Sequence, residues 1–181
     1  SVTGPDIGAD EFESVICPAT PTITGISSAA PYYAGDVITI TGTNLSGIAY
    51  ATINDINATI GATTATTAQL TIPVTMADSV GVIQVAASSS CTFSNTFNFV
   101  FAGYITLGTS LIGTWSTAGI WRNSAVPVPN SPATINTGDN VTLNVSADPI
   151  KFTILSGASL THQDNSLVFG TTYLNNTRVN G

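Results

Sequence analysis

Charge is what this chain has least of. Only 7% of its 181 residues are charged, and the strong bases Arg122, Lys151 and Arg178 stand against ten acids, for a formal charge of −7. Three bases make no basic surface to neutralise phosphates, so nucleic acid is not expected as a partner, and the same acidity argues against electrostatic attachment to anionic lipid. Long hydrophobic runs are also missing: no apolar stretch approaches the ~20 residues of a spanning helix, so membrane insertion is not expected. His162 is the sole histidine. A Ser/His/Asp triad would have to use it, yet Thr161, Gln163 and Asp164 surround it in an apparent turn and no Gly-x-Ser-x-Gly elbow exists. A solvated turn histidine and no catalysis are the expectation. Ser1 follows no Met, basic n-region or apolar h-region, and is expected to be a processed end or a cut inside a longer protein.

Cysteine is nearly absent, with only Cys17 and Cys91. An even pair in a chain of this composition reads as a disulfide, the alternative being two free buried thiols. Two thiols and one distant histidine do not supply the ligand set of structural zinc. Among the acids, Asp36, Asp55, Asp78, Asp139, Asp148 and Asp164 sit beside turn residues, where the side chain caps local amides, so paired carboxylates for glycoside hydrolysis are not expected. Calcium would suit Asp6, Asp10, Glu11 and Glu13, or the neighbourhood of Asp139, where hard oxygen ligands cluster. No EF-hand or nonapeptide repeat accompanies them, and no cofactor is expected.

What is plentiful is Thr, Ser, Ala, Ile and Asn, the vocabulary of strands and polar turns, which predicts an all-β chain with almost no helix. Short strands follow one another from Thr22: Thr22 to Ile26, a turn over Pro31 to Asp36 with Gly35 at its positive-φ position, then Val37 to Thr41. In that strand, where Val37, Thr39 and Thr41 alternate with Ile38 and Ile40, the isoleucines should face the core and the threonines the solvent. Ala51 to Ile53 and Ala58 to Ile60 flank Asn54-Asp55-Ile56-Asn57, which reads as a hairpin connection. Leu70, Ile72 and the strand-end Pro73 come next, then Gly81 to Ala86, and a heavily aromatic strand from Phe93 to Phe101.

The run Pro21 to Gly47, with two alternating strands joined by a Pro/Gly turn and closing in Thr-Gly-Thr-Asn-Leu, resembles the opening of an IPT/TIG domain, and the resemblance spans Pro18 to Phe101. It implies an immunoglobulin-like β-sandwich that joins, spaces or presents. In such a sandwich Cys17, before the first strand, and Cys91, before the last, lie at the same end and can meet.

Beyond Tyr104 the text changes. Residues from Thr114, with Trp115, Trp121, a Val-Pro, Thr-Ile-Asn and Gly-Asp-Asn-Val-Thr-Leu, resemble an opening found in large secreted proteins of Bacteroidetes type that starts a parallel β-helix or β-roll. Short apolar strands at Ile135, Val141 to Val145, Phe152 to Ile154, Ala158 to Leu160, Leu167 to Phe169 and Tyr173 read as coils of a β-solenoid with an irregular period. A coil does not bury its open face alone, so a further domain or an identical subunit is expected against the last one. The segment Gly4 to Phe12 is similar to the closing motif of secreted parallel β-helices, against a plain acidic lead-in.

The expected organisation is an N-terminal extended segment 1–17, an IPT/TIG-like sandwich 18–102, a linker 103–113 and a β-solenoid-like module 114–181. Trp115 and Trp121 are candidates for stacking on a sugar, against packing at the module start. Asn44, Asn57, Asn140, Asn144 and Asn175 match the N-glycosylation pattern, which Asn- and Thr-rich text generates by chance. The function read from this is a structural spacer of a secreted or cell-surface, adhesin-like bacterial protein. Its partners would be neighbouring domains, identical subunits or surface glycans. One alternative is an extracellular filament subunit whose first 16 residues add as a strand to the next subunit, and the other is a carbohydrate-binding accessory module of a secreted enzyme.

Overall fold

The computed structural model describes residues 17–162 and, beyond them, the backbone of Ser166–Phe169, Thr172–Asn175 and Val179–Asn180. The readings placed on residues 1–16, including the strand-donating segment and the candidate ligands Asp6, Asp10, Glu11 and Glu13, lie outside the described residues, as do Gln163, Asp164 and the Asn176-Thr177 end of the last glycosylation pattern.

The strands are β1 (Thr22–Ile26), β2 (Tyr32–Tyr33), β3 (Val37–Thr43), β4 (Tyr50–Ile53), β5 (Ile56–Asn57), β6 (Thr59–Thr63), β7 (Thr67–Thr71), β8 (Val80–Ala86), β9 (Phe97–Ile105), β10 (Ile112–Thr114), β11 (Pro132–Ile135), β12 (Asn140–Leu143), β13 (Lys151–Ile154), β14 (Ser159–His162), β15 (Ser166–Phe169), β16 (Thr172–Asn175) and β17 (Val179–Asn180). Among the described residues the helical content is two single 3₁₀ turns, Ala118–Ile120 and Arg122–Ser124, so the all-β expectation holds.

Four antiparallel strands form the first sheet in the order β1-β3-β7-β6. Facing it, β5-β4-β8-β9 form the sandwich part of a larger sheet, with β2 lying parallel on β9. Period-two alternation decides what goes between them. Ile38, Ile40, Ala68 and Leu70 from one sheet meet Ile53, Ile83, Val85 and Phe101 from the other, all fully buried or nearly so, whereas Val37 is exposed. At about 25 cal/mol per Å² of apolar surface, each such aliphatic side chain contributes roughly 2 kcal/mol on burial.

Turn chemistry sets where the chain reverses or changes sheets. Asn54 and Asp55 carry φ of 51° and 61°, the left-handed pair that a two-residue hairpin requires, and link β4 to β5. The hairpin turn is thus shorter than expected, because Ile56 and Asn57 already belong to the returning strand. After β3, Asn44 takes φ 56° and Leu45 drops into the core with no exposed surface, which is what the Thr-Gly-Thr-Asn-Leu turn accomplishes. Cys17 and Cys91 form a disulfide with Cα atoms 5.6 Å apart, tying the approach to β1 to the loop between β8 and β9.

β9 departs from the expected strand at both ends. It begins at Phe97 instead of Phe93 and runs to Ile105, into the stretch read as a linker. Its first half pairs antiparallel with β8, while Tyr104 and Ile105 pair parallel with Ala133 and Thr134 of β11, which in turn pairs parallel with β13. A second parallel ladder runs β10-β12-β14. Each step of the chain advances both ladders together: Tyr104 to Ala133 beside Ile112 to Asn140, then Ala133 to Phe152 beside Asn140 to Ser159. The edge of β14 is taken antiparallel by β17, and β15 and β16 form a separate hairpin. His162 lies at the end of β14, in register with Leu143, and not in the turn expected for it.

Candidate functional site

The residues that the fold gathers with most purpose are at the joint between the sandwich and the parallel ladders. The turn between β2 and β3 carries Asp36, and the second 3₁₀ turn carries Arg122 and Asn123. Asp36 Oδ2 accepts the Tyr33 N–H at 3.0 Å within its own turn. Its Oδ1 accepts Arg122 Nε–H at 2.9 Å and Asn123 Nδ2–H at 3.0 Å from across the joint. Asn123 Nδ2 also donates to the Ala34 carbonyl at 2.9 Å, and the Arg122 guanidinium lies 5.3 Å from the centre of the Tyr33 ring. This is the one ion pair among the described residues.

Local backbone choices make that clasp possible. Gly35 has φ +78° and would place an added Cβ 2.7 Å from Asn123 Cβ, so the turn must be glycine both for its conformation and for the close approach. Asn123 and Ser124 take φ of 56° and 55°, turning the chain so that the Asn123 amide points back at the sandwich. Asn tolerates this region better than most residues, which explains its place there.

Beneath the clasp the joint is apolar and continuous. Tyr104, near the end of β9, is 1% exposed, packs edge-on against Phe101 with centroids 6.1 Å apart, and donates its hydroxyl to the carbonyls of Val74 and Met76 at 2.7 and 3.1 Å. Burial pushes its phenol up to about 12, because the phenolate would lose water with no cation to replace it. Gly103, at φ +84°, brings β9 so near Pro132 that any Cβ would overlap that carbonyl. Asp78 N–H completes the seam by donating to the Asn130 carbonyl at 2.8 Å.

Two facing sheets with this order, a Leu-anchored turn after β3 and an aromatic last strand raise the question of family. Residues 21–101 match the IPT/TIG domain family. Among solved structures, the chain is similar to the Bacteroides ovatus mixed-linkage glucan utilization locus SGBP-B in complex with a mixed-linkage heptasaccharide, at 24% identity and a TM-score of 0.37, over 48% of this chain and 24% of that one. It is also similar to a gamma-CGTase from Alkalophilic bacillus clarkii, at 17% identity and a TM-score of 0.36, over 48% of this chain and 14% of that one. This chain therefore spans no more than about a quarter of either. No curated protein matches it.

Outside the IPT/TIG region, Trp115 and Trp121 do come together, with rings 5.0 Å apart at 72°, and Trp121 Nε1–H donates to the Trp115 carbonyl at 2.8 Å. Both are buried, and Trp115 also rests on Phe152 of β13. So placed, the pair packs at the start of the region beyond the sandwich, and Trp115 lines a small cleft with Val128 and Pro149. Asp139, a candidate calcium neighbour, is wholly buried, with one oxygen accepting the Gly108 N–H at 2.8 Å and the other the Leu111 N–H at 2.9 Å. It holds the β9–β10 connection against β12 and has no lone oxygen turned to solvent. Among the described residues no three His, Cys, Asp or Glu side chains gather in a metal-binding group.

A concave surface adjoins the joint. A groove of about 710 Å³ is bounded by Asp55 of the hairpin, Asp78, Ser79 and Gln84, with Val80, Val82 and Ile150 as its apolar floor. Asn54 lines it, donating to the Val80 carbonyl at 2.9 Å and accepting the Val82 N–H at 2.7 Å. Sequence reasoning missed this groove, because Ile150 reaches it from the far side of the joint.

Proposed function

We propose that this chain is a non-catalytic, rigid joint within a secreted or cell-surface multidomain protein, in which the IPT/TIG region holds a β-solenoid-like module at a fixed angle. The observation that carries the reading is β9, one strand that belongs to the sandwich at its start and to the first parallel ladder at its end. A linker would let two modules reorient. A shared strand, clamped by Tyr104 beneath and by Asp36, Arg122 and Asn123 above, does not. The common advance of the two parallel ladders supports the solenoid-like character of the second module, and the disulfide supports an oxidising, extracellular setting. Structural acids engaged with backbone amides, as at Asp36 and Asp139, fit a mechanical part. Residual dipolar couplings test the reading: amides of β1–β8 and of β10–β14 are expected to fit a single alignment tensor. Two independent tensors would overturn it.

A second reading, an accessory module that binds a neutral polysaccharide, is favoured by the groove beside the joint, where Asp55, Asp78 and Gln84 surround an aliphatic floor. Carboxylates and amides accept and donate to sugar hydroxyls while C–H faces pack on Val80 and Val82. Retention on a panel of neutral polysaccharides that is lost in Asp78→Ala, and kept in Val37→Ala on the opposite sheet, is the expected result. Absence of binding across the panel rejects it.

A further inference from the structure

The first sheet of the sandwich has two edges, β1 and β6, and an open edge presents unpaired N–H and C=O groups to any extended chain. β6 is blunted in an ordinary way: its register against β7 shifts between Ile60 and Thr63, which breaks the row of outward groups. β1 is shifted in register too, between Ile23 and Gly25, but carries no further guard. Its sequence Thr-Ile-Thr-Gly-Ile has no charge and no proline, in a chain with only three strong bases to spare. Its threonines pair with those of β3, Thr22 Oγ1 with Thr43 Oγ1 at 2.8 Å.

The slot beside β1 is filled by a side chain. Ile23 N–H donates to Asn95 Oδ1 at 2.8 Å, and Asn95 Nδ2–H donates to the Ile23 carbonyl at 2.9 Å. A carboxamide carries the same donor and acceptor as a peptide group, so this two-point contact reproduces one rung of a β ladder. Asn95 is held in place from the other sheet. Ser94 N–H donates to the Val85 carbonyl at 2.8 Å, Ser94 Oγ accepts the Val85 N–H at 3.1 Å, and the same hydroxyl donates to the Asn95 carbonyl at 2.8 Å. Residues 94 and 95 thus strap β8 of one sheet to β1 of the other, next to the Cys17–Cys91 disulfide.

We propose that the Asn95 carboxamide is a surrogate strand, a built-in stopper that keeps the β1 edge from pairing with a second copy of this chain. The partner it denies is another uncharged β1 edge. The inference is independent of the reading of the joint, which lies at the other end of β9.

The test uses the full 181-residue chain. Asn95→Ala removes both contacts; Asn95→Leu keeps a side chain of similar size but neither the donor nor the acceptor. Both are expected to show a mass by sedimentation velocity that rises with concentration above that of the parent. Amide exchange at Ile23, read in dilute solution, should accelerate roughly tenfold on loss of that bond. Adding Thr24→Lys, which puts a charge on the same edge, is expected to return the mass of each variant to the parental value while leaving Ile23 exchange fast. That separation distinguishes edge pairing from simple loss of stability. Folded variants that sediment like the parent overturn the proposal, and so does association that Thr24→Lys does not relieve. If neither Asn95 variant folds, the side chain is a structural strap only and the stopper role is rejected.

Discussion

Replacing Asp36 by alanine removes three hydrogen bonds at once, and the structure separates what each is worth. Two come from across the joint, from Arg122 Nε and Asn123 Nδ2, and one from Tyr33 N–H in the same turn. Arg122 is half exposed, so the ion pair itself contributes no more than about 1 kcal/mol, and its position over the Tyr33 ring about another 0.5 kcal/mol. The carboxylate is 14% exposed, so losing it leaves the Tyr33 N–H and the Asn123 amide short of a charged acceptor, a cost of about 2 to 3 kcal/mol in total. For a chain of this size each kcal/mol is roughly 2 to 4 °C in Tm, giving a fall of about 4 to 12 °C for Asp36→Ala. Arg122→Ala should cost about 1 kcal/mol and a few degrees. The double variant should fall well short of the sum, with a coupling of about 0.5 to 1 kcal/mol. Thermal unfolding by circular dichroism gives the ordering, and amide exchange at Tyr33 and Asn123 gives its location. If Asp36→Ala is no worse than Arg122→Ala, the carboxylate is not the hub of the clasp and the reasoning fails.

Tyr104 predicts an alkaline limit. Its folded-state pKa stands at about 12 against 10 unfolded, so stability is full below pH 10 and falls as the pH rises toward 12, by roughly 3 kcal/mol for that shift. Denaturant midpoints measured from pH 9 to 12 should show the decline, and Tyr104→Phe should flatten it while costing about 1 to 2 kcal/mol at neutral pH. Reduction of the Cys17–Cys91 disulfide opens a separation of 74 residues and should lower stability by about 4 kcal/mol in the chain-entropy account, read as a fall in urea midpoint with and without reductant. Trp121→Ala should cost about 3 to 5 kcal/mol, because it empties a fully buried site and orphans the Trp115 carbonyl. A loss below 1 kcal/mol would mean that the pair is not packed as described.

The sandwich was legible because its determinants are local. Period-two alternation assigns Ile38 and Ile40 to the core wherever the sheets lie, and the Asn-Asp hairpin and the Asn44-Leu45 turn follow from left-handed preferences at single residues. The scarcity of bases held one unused signal: in a chain with three strong cations, Arg122 beside a Trp was worth pairing with an acid. Asp36 read instead as an ordinary turn aspartate, because its own turn already gives it the Tyr33 amide. The stretch 103–113 read as a linker since its composition changes there, yet Gly103, Tyr104 and Ile105 extend β9. Composition does not record that a strand can finish in a different pairing from the one in which it began.

From the sequence alone came an all-β chain, the core-facing isoleucines of β3 and the disulfide partners, since each depends on residue type or spacing. The tertiary structure decided that the tryptophans pack on each other, that Asp139 serves amides, that Asn95 binds the Ile23 backbone, and that β9 pairs in both parts. Those outcomes depend on which atoms meet after distant segments pack, and a contact between Asp36 and Asn123, or between Ile23 and Asn95, leaves no trace in either local stretch.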